Sequence, residues 1–390
     1  MKAKRKEQLN IVMLGHKRIP SREGGVEIVV EELAARMVKR GHNVTCLNRS
    51  GKHVGGREFE AAEVCEHKGV RIKRVWAVDK KGLAAMTASV TGAITAAFGS
   101  YDVVHFHAEG PCAMLWLPKL FGKRCIATIH GLDHQRAKWG RLAKAYIMMG
   151  EKCAAGLADE IIVLSLGVQQ YFKETYGRET VFIPNGVSAA EQRQAKEITE
   201  KYGLQPREYI LFLGRLVPEK GITYLMDAFG GLQTDKKLVI AGGSSDTDAF
   251  AEELRKKAAE DERILLTGFV QGRLLEELYS NAYVYVLPSD LEGMPLSLLE
   301  AMSYGNCCVT SDIEECAAVV ADKGVTFCKG DVAALQTVLQ MLCDRPQTVE
   351  NYRKEAADYI TQRFNWDDVT ERTLEVYGGK RDDSRFAMCE

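Results

Sequence analysis

Residues 292–301 read EGMPLSLLEA and set two carboxylates, Glu292 and Glu300, on either side of a Gly-Met-Pro turn. A carboxylate among leucines is costly unless something pairs with it, so either both face water or one of them holds a ligand. Pro295 suits the first turn of a helix, where the amides of Leu296, Ser297 and Leu298 lack intrahelical partners and could bind an anion. Glu300, on the second turn, could then accept hydrogen bonds from a diol such as a ribose. Glu292, on the preceding loop, would lie nearer whatever the anion is attached to. In the same half, LGRLVPEKG places Arg215 and Lys220 on one loop after a strand-like run. An arginine fork and a lysine point charge can together neutralise a diphosphate, although plain surface charge would also account for them.

The first half offers fewer chemical groups. HKRIPSREGGVE puts Gly24 and Gly25 ahead of a helical pattern, where backbone can approach a ligand closely and free amides can meet an anion; the pair also fits an ordinary loop. ATIHGLDHQ sets His130 at a strand end, able to touch a substrate hydroxyl or share a proton, or simply to be a structural loop residue. His105 and His107 in VVHFHAEG share one strand face, yet no third ligand follows at metal spacing, which argues against zinc.

These groups need strand ends to hold them. Short runs such as LNIVMLGH, YDVVHFHA, EYILFLGR and YVYVLPSD alternate with helical patterns such as GVEIVVEELAARMVKRG. That alternation predicts βαβ units and parallel sheets, whose ligands bind outside the carboxyl ends of the strands. The pattern occurs twice, so the expected class is α/β with two Rossmann-like domains. The turn cluster IPNGV places the boundary at about 184–190, giving domains 1–187 and 188–365, and a break at Phe364 to Trp366 precedes a last helix over 366–380. No Gly-x-Gly-x-x-Gly follows the first strand and no Walker A loop is present, which weakens dinucleotide dehydrogenase and P-loop readings.

The 390-residue chain is long enough for two cores, and its 46% hydrophobic and 27% charged content is that of an ordered globular protein. Eleven cysteines without a Cys-x-x-Cys pair sit mostly in apolar segments and read as reduced core residues. The apolar run after the basic N-terminus is too short for a signal sequence or membrane span, so a cytoplasmic location is expected. Residues 1–187 hold 29 Lys and Arg against 18 Asp and Glu, and residues 188–390 hold 23 against 35. The basic half could face an anionic membrane, for instance through an amphipathic helix at about 136–149, or the two halves could attract each other.

Taken in order, GGVE (24–27), ADEIIVLS (158–165), IPNGV (183–187), GRLVPEKG (214–221) and EGMPLSLLEA resemble the retaining glycosyltransferase family 4 through nearly the whole chain. Its Glu, seven residues, Glu pattern is matched by Glu292 and Glu300. The KRIPSREGGVE form is similar to a subgroup of bacterial surface-polysaccharide enzymes that includes rhamnosyltransferases.

The resemblance implies a GT-B fold: two facing Rossmann-like domains with a crevice between them, and C-terminal helices crossing back to the N-terminal domain. It implies that Arg215 and Lys220 hold the donor diphosphate with the amides of Gly25 and of the helix after Pro295. Glu300 would take the ribose. Glu292 and the backbone of Gly293, Met294, Pro295, Leu296 and Ser297 would meet the sugar and phosphate. Val270 would lie at the base, and Gly24 and His130 would serve from the first domain, with no metal or other cofactor. The expected partners are a nucleotide-sugar donor, with UDP or dTDP favoured, and a glycan or lipid-linked acceptor. A peripheral contact with the inner face of the plasma membrane would suit such an acceptor, and nucleic acid is not expected. A binding protein or epimerase of the same fold is the alternative.

Overall fold

The computed structural model describes residues 8–50, 64–78, 80, 82–136, 139–244 and 247–380. The basic N-terminal start, Cys389 and the polar C-terminal tail lie outside the described residues. The chain divides into two compact units, the first including Glu60–Asn185 and Trp366–Glu390 with the N-terminal segment, the second including Gly186–Asn365.

Unit 1 is built on strands β1 (Asn10–Leu14), β2 (Asn43–Arg49), β3 (Glu66–His67), β4 (Val70–Val75), β5 (Val103–His107), β6 (Arg124–Ile129), β7 (Glu160–Val163) and β8 (Val181–Phe182). They form one sheet in the order β3-β4-β2-β1-β5-β6-β7-β8, parallel except for the β3–β4 edge pair. Its middle strands are buried almost throughout because helices cover both faces. The helices are α1 (Gly25–Lys39), α2 (Leu83–Phe98), α3 (Glu109–Cys112), α4 (Trp116–Leu120), α5 (Arg141–Leu157) and α6 (Leu166–Tyr176). Helix α1 buries Val29, Val30, Leu33, Ala34 and Met37 along one stripe. Helix α6 is started by Ser165, whose hydroxyl accepts from the Val168 amide, and ended by Gly177 in the left-handed region.

Unit 2 carries α7 (Glu197–Tyr202), β9 (Tyr209–Leu213), α8 (Ile222–Gly230), β10 (Lys237–Ala241), α9 (Asp248–Ala258), β11 (Ile264–Gly268), α10 (Gly272–Asn281), β12 (Val284–Leu287), α11 (Leu296–Ser303), β13 (Cys307–Ser311), α12 (Glu314–Val320), β14 (Val325–Phe327), α13 (Val332–Asp344) and α14 (Pro346–Arg363). Its all-parallel sheet runs β11-β10-β9-β12-β13-β14. The last helix, α15 (Trp366–Tyr377), belongs to unit 1. There Tyr377 donates to or accepts from His105 Nδ1 at 2.6 Å, Arg124 donates to the Val376 carbonyl, and Arg40 bonds Asp367 at 2.9 Å.

Both sheets change direction once, at β1/β5 in unit 1 and at β9/β12 in unit 2. Those are the switch points where loops diverge and leave a crevice above the strand ends. The IPNGV segment and the helix break before α15 lie side by side, with the Val187 amide donating to the Phe364 carbonyl at 2.7 Å. Among the described cysteines all are free; six are buried, and Cys65 and Cys328 are exposed.

Candidate active site

The exits of β9 and β12 carry the charged residues of unit 2. After β9 the chain makes a short 3-10 turn over Pro218–Lys220 and leaves it through Gly221 at φ +64°. A Cβ there would stand 2.0 Å from the Pro288 carbonyl oxygen, so only glycine lets this turn press against the chain leaving β12. The Asp290 amide closes the clasp by donating to the Glu219 carbonyl at 2.9 Å, and Tyr224 donates to Asp290 at 3.1 Å. The result is a close pair: Lys220 Nζ lies 2.5 Å from Glu292 Oε1, with side chains 11% and 9% exposed. Ser289 donates to the same oxygen at 2.6 Å. Arg215 is half-buried on the same loop.

The two glutamates thus have different neighbours. Glu300, half-buried on α11, accepts from the Tyr279 hydroxyl at 3.3 Å, and Tyr279 also reaches the Ser297 carbonyl. Tyr285 donates to the Ser297 hydroxyl at 2.9 Å and fixes the first turn of α11 from beneath. Pro295 caps that helix from outside it instead of forming its first turn, and the Leu298 amide donates to the Pro295 carbonyl at 3.1 Å. Leu298 is therefore removed from the expected anion site; the amides of Leu296 and Ser297 remain outside the helical ladder. Gly293, Pro295 and Leu296 are buried, Met294 and Ser297 half-buried, and Val270 is buried just past β11.

In unit 1, Gly24 caps α1 and Gly25 is its first residue. The third helical residue, Glu27, accepts from the Lys17 amide at 2.8 Å. The exits of β1, β5 and β6 carry histidines. Gly15, at φ +106°, brings the chain so close to β5 that a Cβ would meet the His107 carbonyl at 2.1 Å. Asn48 is oriented by the amide and carbonyl of Ile19, so its Oδ1 accepts from His16 Nε2 at 3.0 Å. His16 Nδ1 is left as a bare acceptor, and His107 Nε2 is likewise buried without a partner among the described residues. His107 Nδ1 lies 3.1 Å from His130 Nε2, so one ring donates and the other accepts. Burial holds His16 and His130 down at about 4 and His105 at about 3, and takes His107 well below its ordinary value. All four rings are neutral at neutral pH, suited to hydroxyls more than to phosphates.

A second polar group, not singled out by its sequence, lies beside His134. Glu151 is wholly buried and accepts from Tyr171 at 2.8 Å, Tyr176 at 2.6 Å and His134 at 3.0 Å. Glu109, also wholly buried, accepts from the Asp133 amide, and burial followed by the nearby Asp133 and Glu151 charges pushes it up to about 10. Ligand atoms of Glu109, His134 and Glu151 lie within 4.8 Å of one another, a spacing a metal ion could use. His134 Nδ1 and both Glu151 oxygens are already hydrogen-bonded, which fits a network closed by protons. An acid just past a buried strand, in HFHAEGPCAML, was the available signal.

Residues 23–191 match the family described as Glycosyltransferase Family 4, and residues 207–345 match Glycosyl transferases group 1. Alpha-maltose-1-phosphate synthase of Mycobacterium tuberculosis is 32% identical over 195 residues, 46% of this chain and 50% of that protein. The match thus spans half the length of that relative. Sucrose-phosphate synthase from Thermosynechococcus elongatus shares the fold with a TM-score of 0.80 at 20% identity, over 96% of this chain and 99% of that one. Anabaena HepE, solved in complex with UDP-glucose, follows at a TM-score of 0.78 and 16% identity, over 95% and 100%. With one family region in each unit and two parallel-sheet units of matching fold, the chain belongs to the family 4 glycosyltransferases of GT-B fold.

Proposed function

We propose that the chain is a retaining, metal-independent glycosyltransferase that moves a sugar from a nucleoside diphosphate, UDP or dTDP, to a glycan or lipid-linked acceptor in surface-polysaccharide synthesis. The observation that carries this reading is the buried Lys220–Glu292–Ser289 cluster clasped between the two switch-point strand exits, with Arg215 on the same loop. UDP-glucose bound to HepE, a protein of the same fold, supports a nucleotide sugar as donor. Arg215 and Lys220 take the diphosphate, aided by the amides of Leu296 and Ser297. Glu300 takes the ribose, and Glu292 faces the sugar. Val270 lies by the base. His130 offers a neutral imidazole to a sugar hydroxyl.

Departure of the nucleoside diphosphate breaks the bond between the anomeric carbon and the phosphate oxygen, and negative charge grows on that oxygen. Cations and helix amides fixed in place before reaction stabilise that charge without reorganising, usually the largest contribution to catalysis. The acceptor oxygen attacks from the face the diphosphate leaves; the new glycosidic bond forms as its proton passes to the departing phosphate oxygen. The anomeric configuration is thereby kept.

The test is a panel of UDP-, dTDP-, GDP- and ADP-sugars assayed for slow donor hydrolysis. Release of free sugar from one of them supports a transferase, whereas affinity without turnover would indicate a binding protein. NMR of a transferred product showing an inverted anomeric centre would overturn the front-face mechanism.

A further inference from the structure

Helix α2 departs from the usual pattern of a surface helix. It exposes Leu83, Met86, Val90, Ile94 and Phe98, from 37% for Met86 to 71% for Phe98, at spacings of three and four that put them on one face. Its opposite face buries Ser89, Gly92, Ala93, Ala96 and Ala97, and none of its 16 residues is charged. Helices that meet water on one side ordinarily carry charge there.

The apolar face extends beyond α2. Trp76, 67% exposed, runs beside it, its carbonyl accepting from Thr91 at 2.7 Å. At the other end the Phe98 ring packs edge-on against Phe121 at 4.7 Å, next to Leu120, which is 75% exposed. Helix α4 packs against both α2 and α5, and α5 in turn exposes Leu142 and Met149. A contiguous apolar surface on this scale marks an interaction site, unlike single exposed side chains.

Its exposed charges are mainly basic. Helices α2, α4 and α5 together hold Arg141, Lys144 and Lys152, and also Lys119, which pairs with Asp159 at 2.6 Å; their one acid, Glu151, is fully buried. Lys123 and Lys73 stand at the Phe98 end, Lys123 donating to the Gly99 carbonyl at 2.7 Å and Lys73 reaching the Tyr101 hydroxyl at 3.4 Å. No described helix is long and apolar enough to cross a membrane.

We propose that α2, α4 and α5 form a docking surface for an anionic lipid bilayer, on which α2 lies flat with its apolar stripe among the acyl chains and the bases at the headgroups. An apolar stripe rimmed by bases and tryptophans is the composition that lies in a membrane interface. A second copy fits less well, because a twofold interface places the same surface on both partners and would bring base against base. This surface gives unit 1 a lipid partner without using any residue assigned to the donor.

The experiment is flotation of the full chain with neutral phosphatidylcholine vesicles and with vesicles containing phosphatidylglycerol. Binding is expected only with the anionic lipid. It should fall about fivefold for each of Lys144→Gln and Lys152→Gln and at least tenfold for Ile94→Asp and for Phe98→Asp. Thermal shift by UDP, which reports the donor site, should stay at wild-type size in all four variants; failure of UDP to bind any of the proteins would count against the proposed transferase and leave the lipid result standing. Equal binding to neutral vesicles, or anionic binding indifferent to Ile94→Asp and Phe98→Asp, would overturn the proposal. So would light scattering that shows a dimer broken by Phe98→Asp in a protein that does not float.

Discussion

Glu292→Gln tests the central contact, because it keeps the shape and an acceptor oxygen while removing the charge that Lys220 meets at 2.5 Å. A hydrogen bond to a charged group contributes about 1.5–3 kcal/mol when made in a largely buried place. A unit of this size loses roughly 2–4 °C of Tm per kcal/mol. The unliganded variant should therefore unfold about 3–12 °C below wild type by calorimetry. Nucleoside diphosphate should act in the opposite sense. In wild type Lys220 must leave or share Glu292 to meet a phosphate; in the variant it is already released, so UDP should bind up to about tenfold more tightly, a gain of about 1.4 kcal/mol. Transfer should nevertheless slow by about 100-fold, since Glu292 is assigned to the sugar undergoing reaction. Titration calorimetry gives the affinity and single-turnover rates give the chemistry. If UDP binds the variant more weakly, Glu292 contacts the nucleotide and the assignment is wrong. If Tm and affinity are both unchanged, the pair is not coupled to the donor at all.

Three further outcomes follow from the geometry. Gly221→Ala, with φ at +64° and a Cβ 2.0 Å from the Pro288 oxygen, should destabilise unit 2 by about 3 kcal/mol or more and loosen the Lys220 turn, read as a lower denaturant midpoint and weaker UDP binding. Below pH 6.5 unit 1 should lose stability. His16 and His130 are held near 4 in the folded state, so the unfolded chain binds more protons between about 4 and 6.5, and each contributes a slope of about 1.4 kcal/mol per pH unit in that window. Glu109 runs the other way, because its raised value makes the folded state bind the extra proton and its contribution fades as pH rises from 4.5 toward about 10. Melting curves that are flat between pH 4 and 6.5 would contradict this. Finally, His107→Phe removes the ring 3.1 Å from His130 Nε2, and 15N NMR should show the His130 tautomers becoming mixed, while His107→Asn retains part of the order. Unchanged His130 shifts in both variants would show that His107 does not position it.

The placement of unit 2's charged residues was legible because strand exits follow from hydrophobic runs, and Arg215, Lys220 and Glu292 stand shortly after two of them. That Lys220 and Glu292 meet depends on β9 pairing with β12, a long-range choice that no local pattern records. Helix α11 starts one residue later than the sequence suggests, since proline is comfortable both at a helix's first position and just outside it, and Leu298 loses its free amide to a tight i→i−3 bond with the Pro295 carbonyl. The helix expected over 136–149 begins at Arg141 and continues to Leu157, while residues 137 and 138 of that span are outside the described residues. Local polarity masked its length: Glu151, which looks like a solvent residue in the sequence, points inward to two tyrosines contributed by α6. The histidine row was half visible. His105 and His107 share a face by strand alternation, but His16 joins them only through the close approach that Gly15 allows.

The return of α15 to unit 1 has a consequence for how the polypeptide is made. A ribosome delivers Gly186–Asn365 as one uninterrupted stretch, so unit 2 has all the described residues of its core while unit 1 still waits for its last helix. Until residue 377 emerges, His105 lacks the tyrosine that holds its ring, and Arg124 lacks the Val376 carbonyl. Unit 1, though begun first, is finished last. A nascent chain halted before α15 would thus have all eight described strands of unit 1 but leave α1 without the helix that packs on it, and α15 acts as the stitch that closes this unit.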